Sequence, residues 1–469
     1  MNDSESLLKE KELKQPHADL TKQLSSFRLS NNILGQLIII GNGFDLQCNL
    51  KSSYADFYKD RYEDPIRQKL LNINTGTYFN KEFSSLDCGI NVWDYILNVY
   101  FEFKNEQKPV KQWSSIEEII ELVINNHVAR DMFNISETNS FYFFSDLTER
   151  ICSFDPPFGI LKDKYLESNE TKKYFYFLKS LAYITLTFSP RIKSEIKDMD
   201  NTYPVKKFFL DELKKFEKSF SNYLKRIYHE ASHSPNINYL GRSSELMETL
   251  TGTDLQLGEN EKLANSILSF NYTTPFHSPD ICQSIYCLRN VHGSIDTNGF
   301  SNGEIIFGID SENIEKDRKD DEKGEEDRTG FTKTFRTLFL NSNRLETNIF
   351  DYPVKIIKVY GHSLDEGDYS YFQSIFDAVD LYNNKTVYIY FYYSTDYDRK
   401  NSEQIKYDYF KKVAHLFEEY GTTIDNPYHG RNMLHRLILE NRIHIKEISR
   451  TQHDATWSKY TNRLIEKHI

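Results

Sequence analysis

Nowhere in this 469-residue sequence do apolar residues run unbroken for the ~18 positions that a membrane-crossing helix needs, so no such helix is expected. Cysteine is sparse. The five thiols, Cys48, Cys88, Cys152, Cys282 and Cys287, include no CxxC pair. That pattern excludes a dense disulfide framework and fits a reducing compartment, with the cytoplasm as the expected location. Positive charge is not in excess either. A net charge of −11 argues against a surface built to neutralise phosphates along its whole length, so nucleic acid is not an expected partner. Only 19 glycines and 12 prolines are present, which excludes collagen-like and low-complexity chains. The opening MNDSESLLKEKELKQPHADLTK has no apolar core, so no secretory leader is expected and residues 1–32 read as a polar leader. What the chain does have is aromatic bulk, 32 Tyr and 33 Phe, enough for a large core.

The length predicts more than one compact unit. Leu37-Ile38-Ile39-Ile40 is an unbroken apolar run that stops at a glycine pair, the signature of a buried parallel strand before a turn. From about 55 to 262 the periodicity turns helical, as in SSIEEIIELVI and VKKFFLDELKKFEKSFSNYLKRIYHEA. Strand-like runs return afterwards: ANSILSFNY, SIYCLRNVHGS, EIIFGID, VKIIKVYGHS, TVYIYFYYS and RIHIKEI. Helical segments DYSYFQSIFDAV and SEQIKYDYFKKVAHLFEEY lie among the later ones. Strands alternating with helices predict an α/β fold with a Rossmann-like parallel sheet built from 33–54 and 263–469, interrupted by a helical insertion over 55–262. The charged run 311–330 predicts a solvated, mobile loop within the α/β domain, the alternative being a lid, because it directly follows a strand near the motifs below.

Four motifs close apolar runs with small or polar residues. Gly41-Asn42-Gly43-Phe44-Asp45 follows the first strand, where glycines let backbone N–H groups approach a phosphate and Asp45 either caps the next helix or binds ribose. Ser269-Phe270-Asn271-Tyr272-Thr273 offers in Asn271 both a donor and an acceptor for a water or a ribose hydroxyl. Val291-His292-Gly293-Ser294 places at a strand end a histidine suited to general-base work. Val359-Tyr360-Gly361-His362-Ser363 is followed by Asp365, Glu366 and Asp368, which read as caps of the next helix. In an open α/β sheet, ligands sit at the carboxyl ends of the strands, so these motifs are expected to share one edge.

The order IIIGNGFD, Trp113…Glu117, LSFNYTT, VHGS, IIFGID and VYGHSLDEGDYSYF resembles the AbiH family of bacteriophage abortive-infection proteins over about 34–400. That resemblance implies phage defence, in which the infected cell stops growing or dies. More distantly, the succession of glycine turn, Asn, His-Gly and Gly-x-Ser is similar to sirtuins and sirtuin-like antiphage domains, which bind NAD. The likeness implies that Gly41, Asn42, Gly43 and Phe44, with Gly361 and Ser363, hold the nucleotide. It implies that Asn271 and His292, aided by Asp45, act on it. Departures are Asn42 in the turn, Thr273 after the Asn motif, and the missing zinc-binding cysteine pairs, which together disfavour protein deacetylation. The expected activity is hydrolysis of NAD at the nicotinamide N-glycosidic bond, with NAD as substrate and no metal. The alternatives are a nucleotide sensor without turnover, a metal-dependent nuclease using Asp45, Asp365 and Asp368, and an interaction scaffold. A phage-derived or host protein trigger and a homo-oligomer are expected partners.

Overall fold

The computed structural model describes residues 33–62, 205–234, 236–255, 261–274, 283–295, 304–310, 329–341, 348–396, 401–424 and 430–448, with 116–117, 119–121, 257–258 and Trp93. The leader 1–32, nearly all of the charged run 311–330, and much of 55–262 including Trp113 lie outside the described residues. In chain order the elements are β1 (Ile33–Ile40), α1 (Gly43–Gln47), α2 (Tyr54–Tyr62), α3 (Val205–His233), α4 (Tyr239–Thr251), β2 (Lys262–Ser269) and β3 (Ile285–Asn290). They continue with α5 (Lys333–Asn341), β4 (Val354–Tyr360), α6 (Tyr369–Ala378), β5 (Tyr388–Tyr393), α7 (Ser402–Thr422), α8 (Met433–Leu439) and β6 (Ile443–Glu447).

The six strands form one all-parallel sheet in the order β3-β2-β1-β4-β5-β6, an α/β Rossmann-like arrangement. β1 pairs with β2 on one side and β4 on the other, and helices cover both of its faces, which is why its run of apolar residues is unbroken. Successive side chains point to opposite faces. Ile38 and Ile40 pack among Phe216, Phe220 and Tyr239 of α3 and α4, whereas Leu37 and Ile39 pack among Phe372, Phe376 and Phe417 of α6 and α7. Two thiols, Cys48 and Cys287, are buried.

Two polar residues inside the sheet tie it to α4. Gln36 donates to the carbonyl of Thr251 at 3.0 Å, and Lys358 donates to those of Leu250 at 2.9 Å and Gly252 at 2.5 Å. These carbonyls belong to the last turn of α4 and its C-cap Gly252, which have no internal donors for them. Lys358 also meets Asp254 at 2.9 Å.

The run 304–310, expected as a strand, makes only isolated bridges, Gly293 with Ile305 and Ile309 with Thr332. Its Ile305, Phe307 and Ile309 are buried all the same. An apolar run predicts burial, and burial can be met beside a sheet as well as inside it. No described helix is long and apolar enough to cross a membrane.

The strand register aligns the four motifs. Ile40 stands opposite Ser269 on one side and Tyr360 on the other, and Ser269 stands opposite Asn290. The residues that follow all leave the sheet at its carboxyl edge. Strand order reverses between β1 and β4, and in such sheets that switch point opens the ligand crevice.

Candidate functional site

A cavity of about 1300 Å³ opens at this edge. Gly41, Asn42, Gly43, Asp45, Asn271, His292, Gly361 and Ser363 all line it. Phe44 is the exception among the residues singled out from sequence. Its ring is fully buried in the core, edge-on to Tyr360 with centroids 6.3 Å apart.

The glycines serve first a contact between two loops. A Cβ on Gly41 would lie 2.6 Å from the Cα of His362, and one on Gly43 would lie 2.6 Å from the Cα of Gly361. Gly361 adopts φ +68, and its Cβ would meet the Phe44 nitrogen at 2.5 Å. Gly43 donates its N–H to the Gly361 carbonyl at 2.8 Å, so this amide is committed to the neighbouring turn. Asn42 accepts from the Ser52 hydroxyl at 2.6 Å, pinning the link between α1 and α2.

Asp45 neither caps α1 nor presents a free carboxylate. One oxygen accepts from Tyr239 and the other from Thr273, each at 2.7 Å. Burial pushes its carboxyl up to about 6, against the pull of those two hydroxyls. Asp45 thereby holds the glycine turn, α4 and the Asn271 loop together.

Asn271 has a different environment. Its backbone is fixed, the N–H donating to the Ser269 hydroxyl at 3.2 Å and the carbonyl accepting from Asn290 at 2.8 Å. Its side-chain oxygen and nitrogen are both buried without a hydrogen-bond partner. Such orphaned groups cost about 1–3 kcal/mol each and are uncommon in folded proteins, so two on one cavity-lining side chain set Asn271 apart from its neighbours.

His292 is 5% exposed, and neither ring nitrogen makes a hydrogen bond. Its Nε2 stands 3.5 Å from Asp368 Oδ1, and His362 Nε2 stands 3.4 Å from the other oxygen of the same carboxylate. His362 Nδ1 accepts the Leu364 N–H at 2.9 Å, which places the His362 proton on Nε2, facing Asp368. Phe270 packs edge-on against both imidazoles, with centroids 5.5 Å from His292 and 4.4 Å from His362.

Behind this pair lies a chain of charges centred on the buried Lys333, with Glu117 and Asp368 half-buried. Lys333 Nζ binds Asp368 Oδ1 at 2.8 Å and Glu117 Oε1 at 2.7 Å, and donates to the Gly367 carbonyl at 3.1 Å. Burial alone would raise Asp368, but Lys333 and the two histidines outweigh it and hold the carboxyl well below its ordinary range. Burial lifts Glu117 to about 7 although Lys333 opposes the rise. Burial pushes His292 down, with Asp368 opposing and Lys333 adding to the fall, so the ring is neutral at pH 7.

Sequence reasoning placed Asp368 as a helix cap. It stands at the N-cap of α6 but makes no side-chain capping bond there, and its carboxylate turns to the histidines instead. His362 lay inside a recognised motif without a role. Nothing in the sequence pointed to Lys333. Of the Trp113…Glu117 pair, Glu117 lines the cavity, and Trp113 lies outside the described residues. Among the described residues, no group of three or more His, Cys, Asp or Glu side chains is placed to hold a metal ion.

Comparison with known protein families gives a match. The family described as bacteriophage abortive infection AbiH covers residues 37–391, most of the chain and all four motifs. No curated protein and no solved structure matches significantly.

Proposed function

The chain belongs to the AbiH family of bacteriophage abortive-infection proteins, and from that premise we propose that it acts in phage defence by hydrolysing NAD at the nicotinamide N-glycosidic bond. The observation that carries this reading is the placement of Asn271 and His292. They come from adjacent strand ends, face one cavity at the switch point of a Rossmann-like sheet, and have side-chain polar atoms that make no hydrogen bond within the protein.

The chemistry needs little beyond these groups. The bond between the ribose C1′ and the nicotinamide nitrogen breaks, its electron pair leaving with neutral nicotinamide. A water oxygen bonds to C1′, and the proton that water loses goes to His292. The products are nicotinamide, ADP-ribose and a proton. The Asn271 amide would hold the water and a ribose hydroxyl, using the donor and acceptor that the fold leaves unsatisfied. A neutral imidazole is the form competent to accept the proton, and a positioned general base is typically worth about 10²–10⁴-fold. Asp368 faces His292 and His362 and favours the imidazolium as it forms, as an orienting carboxylate does beside a catalytic histidine. Asp45, with both oxygens engaged, is a positioning residue for the Asn271 loop.

The test is cellular NAD during phage challenge, compared between wild type, Asn271→Ala and His292→Ala at matched protein levels. The reading expects NAD to collapse in the wild type and to hold in both variants. Equal loss of NAD in all three would refute it.

A further inference from the structure

Two cavity-lining histidines face one carboxylate, and their roles toward it differ. His362 Nδ1 accepts the Leu364 N–H at 2.9 Å, so the ring's own proton sits on Nε2, 3.4 Å from Asp368 Oδ2. Phe270 and Phe372 meet this ring edge-on, with centroids 4.4 Å and 5.2 Å away, and hold its plane. His362 is thus a fixed N–H donor aimed at one oxygen of Asp368. Lys333 takes the other oxygen at 2.8 Å, and His292 Nε2 faces that same oxygen at 3.5 Å.

The tautomer of His292 follows from these neighbours. Asp368, with Lys333 and the His362 N–H around it, is held ionised and offers only acceptors. A lone pair on His292 Nε2 would face an anion, whereas a proton there faces an acceptor. The proton of the neutral ring therefore belongs on Nε2. Phe270 and Tyr371 meet the ring edge-on, with centroids at 5.5 Å and 5.8 Å, and neither bonds its nitrogens. Nδ1 is left with the lone pair and no hydrogen-bond partner.

We infer that Nδ1 of His292 is the nitrogen that takes the proton from water, and that His362 is a positioning residue that sets this by holding Asp368 toward His292 Nε2. The inference rests on the hydrolysis reading above and adds which atom is the base and what orients it. The water oxygen bonds to C1′, its proton moves onto the Nδ1 lone pair, and the O–H electrons stay with oxygen. The imidazolium keeps its Nε2 proton toward Asp368, and neither Asp368 nor His362 gains or loses a proton. Without the His362 donor the carboxylate keeps Lys333 as its anchor and can turn away from His292.

The experiment compares wild type, His362→Leu and His362→Gln in two ways. Nitrogen NMR of the full chain with labelled histidine reports which ring nitrogen carries the proton, and the spectrum of His292→Asn identifies the His292 signals. NAD loss is followed in phage-challenged cells at matched protein levels. Wild-type His292 is expected as a single Nε2–H tautomer. His362→Leu is expected to mix the tautomers and to slow NAD loss roughly tenfold. His362→Gln, whose side-chain amide can donate in place of Nε2–H, is expected to restore most of both. A proton on Nδ1 in wild-type His292 would overturn the inference and leave hydrolysis standing. So would an unmixed tautomer with unchanged NAD loss in His362→Leu, or equal damage by Leu and Gln, which a merely structural loop residue would give. An Nε2–H tautomer in a wild type that spares NAD would overturn the hydrolysis reading and, with it, the role of Nδ1 as base.

Discussion

Single residues in this site are constrained by their neighbours more than by any ligand, and the constraints can be tested one at a time. Gly361 combines φ +68 with a Cβ position 2.5 Å from the Phe44 nitrogen. Gly361→Ala should therefore cost at least about 1–3 kcal/mol from left-handed backbone strain alone, read as a lower urea midpoint. Asp45 gives a pH-dependent test. Its folded pKa of about 6 lies above the unfolded value of 3.8, so the folded state binds the proton more tightly. The stability this contributes is complete below about pH 4 and is lost as pH rises through about 6. Asp45→Asn should flatten the stability profile across that window relative to wild type, by an amount of the order of 3 kcal/mol. Parallel profiles for the two proteins would show that Asp45 does not titrate there. At this scale the sequence was partly legible. Asn271 and His292 stood out because polar residues closing apolar runs are conspicuous. Lys333 did not, because a lysine beginning an ordinary helix looks the same whether it faces water or a pair of half-buried carboxylates.

Elements were more legible than their joints. The six parallel strands coincide with apolar runs, and α3, α6 and α7 follow three- and four-residue periodicity. The segment 304–310 failed as a strand because its residues meet the core beside β3 without joining the ladder. What holds the elements together was hidden from periodicity altogether. Arg336 on α5 binds Glu217 on α3 through both carboxylate oxygens, at 2.5 Å and 2.7 Å, and Glu217 also accepts the Phe307 N–H at 2.7 Å. All three partners are buried. Arg336→Leu should cost about 3–5 kcal/mol because it strands a buried carboxylate, while the double change Arg336→Leu with Glu217→Leu should cost less than either single change. Thermal unfolding of the three variants checks the order. A double variant as unstable as the sum of the singles would contradict it.

At the scale of the molecule, the sheet order brings loops from distant parts of the sequence to one edge, and the register of β1, β2, β3 and β4 aligns their starting residues. That common edge was an expectation from alternation alone, and the fold bears it out. The region between β1 and β2 adds Glu117 to the cavity, three ion-pair steps from His292 by way of Lys333 and Asp368. Glu117→Gln should then alter the pH dependence of NAD loss near neutrality more than the stability of the fold, because Glu117 titrates near pH 7 and Lys333 keeps its stronger partner Asp368. An unchanged pH profile would place Glu117 outside the reaction. The most direct test of the whole account is to follow nicotinamide and ADP-ribose in extracts of phage-challenged cells. The account predicts that both appear in equal amounts as NAD falls, in cells carrying the wild-type chain and not in those carrying His292→Ala. Growth arrest with NAD intact and neither product formed would contradict it.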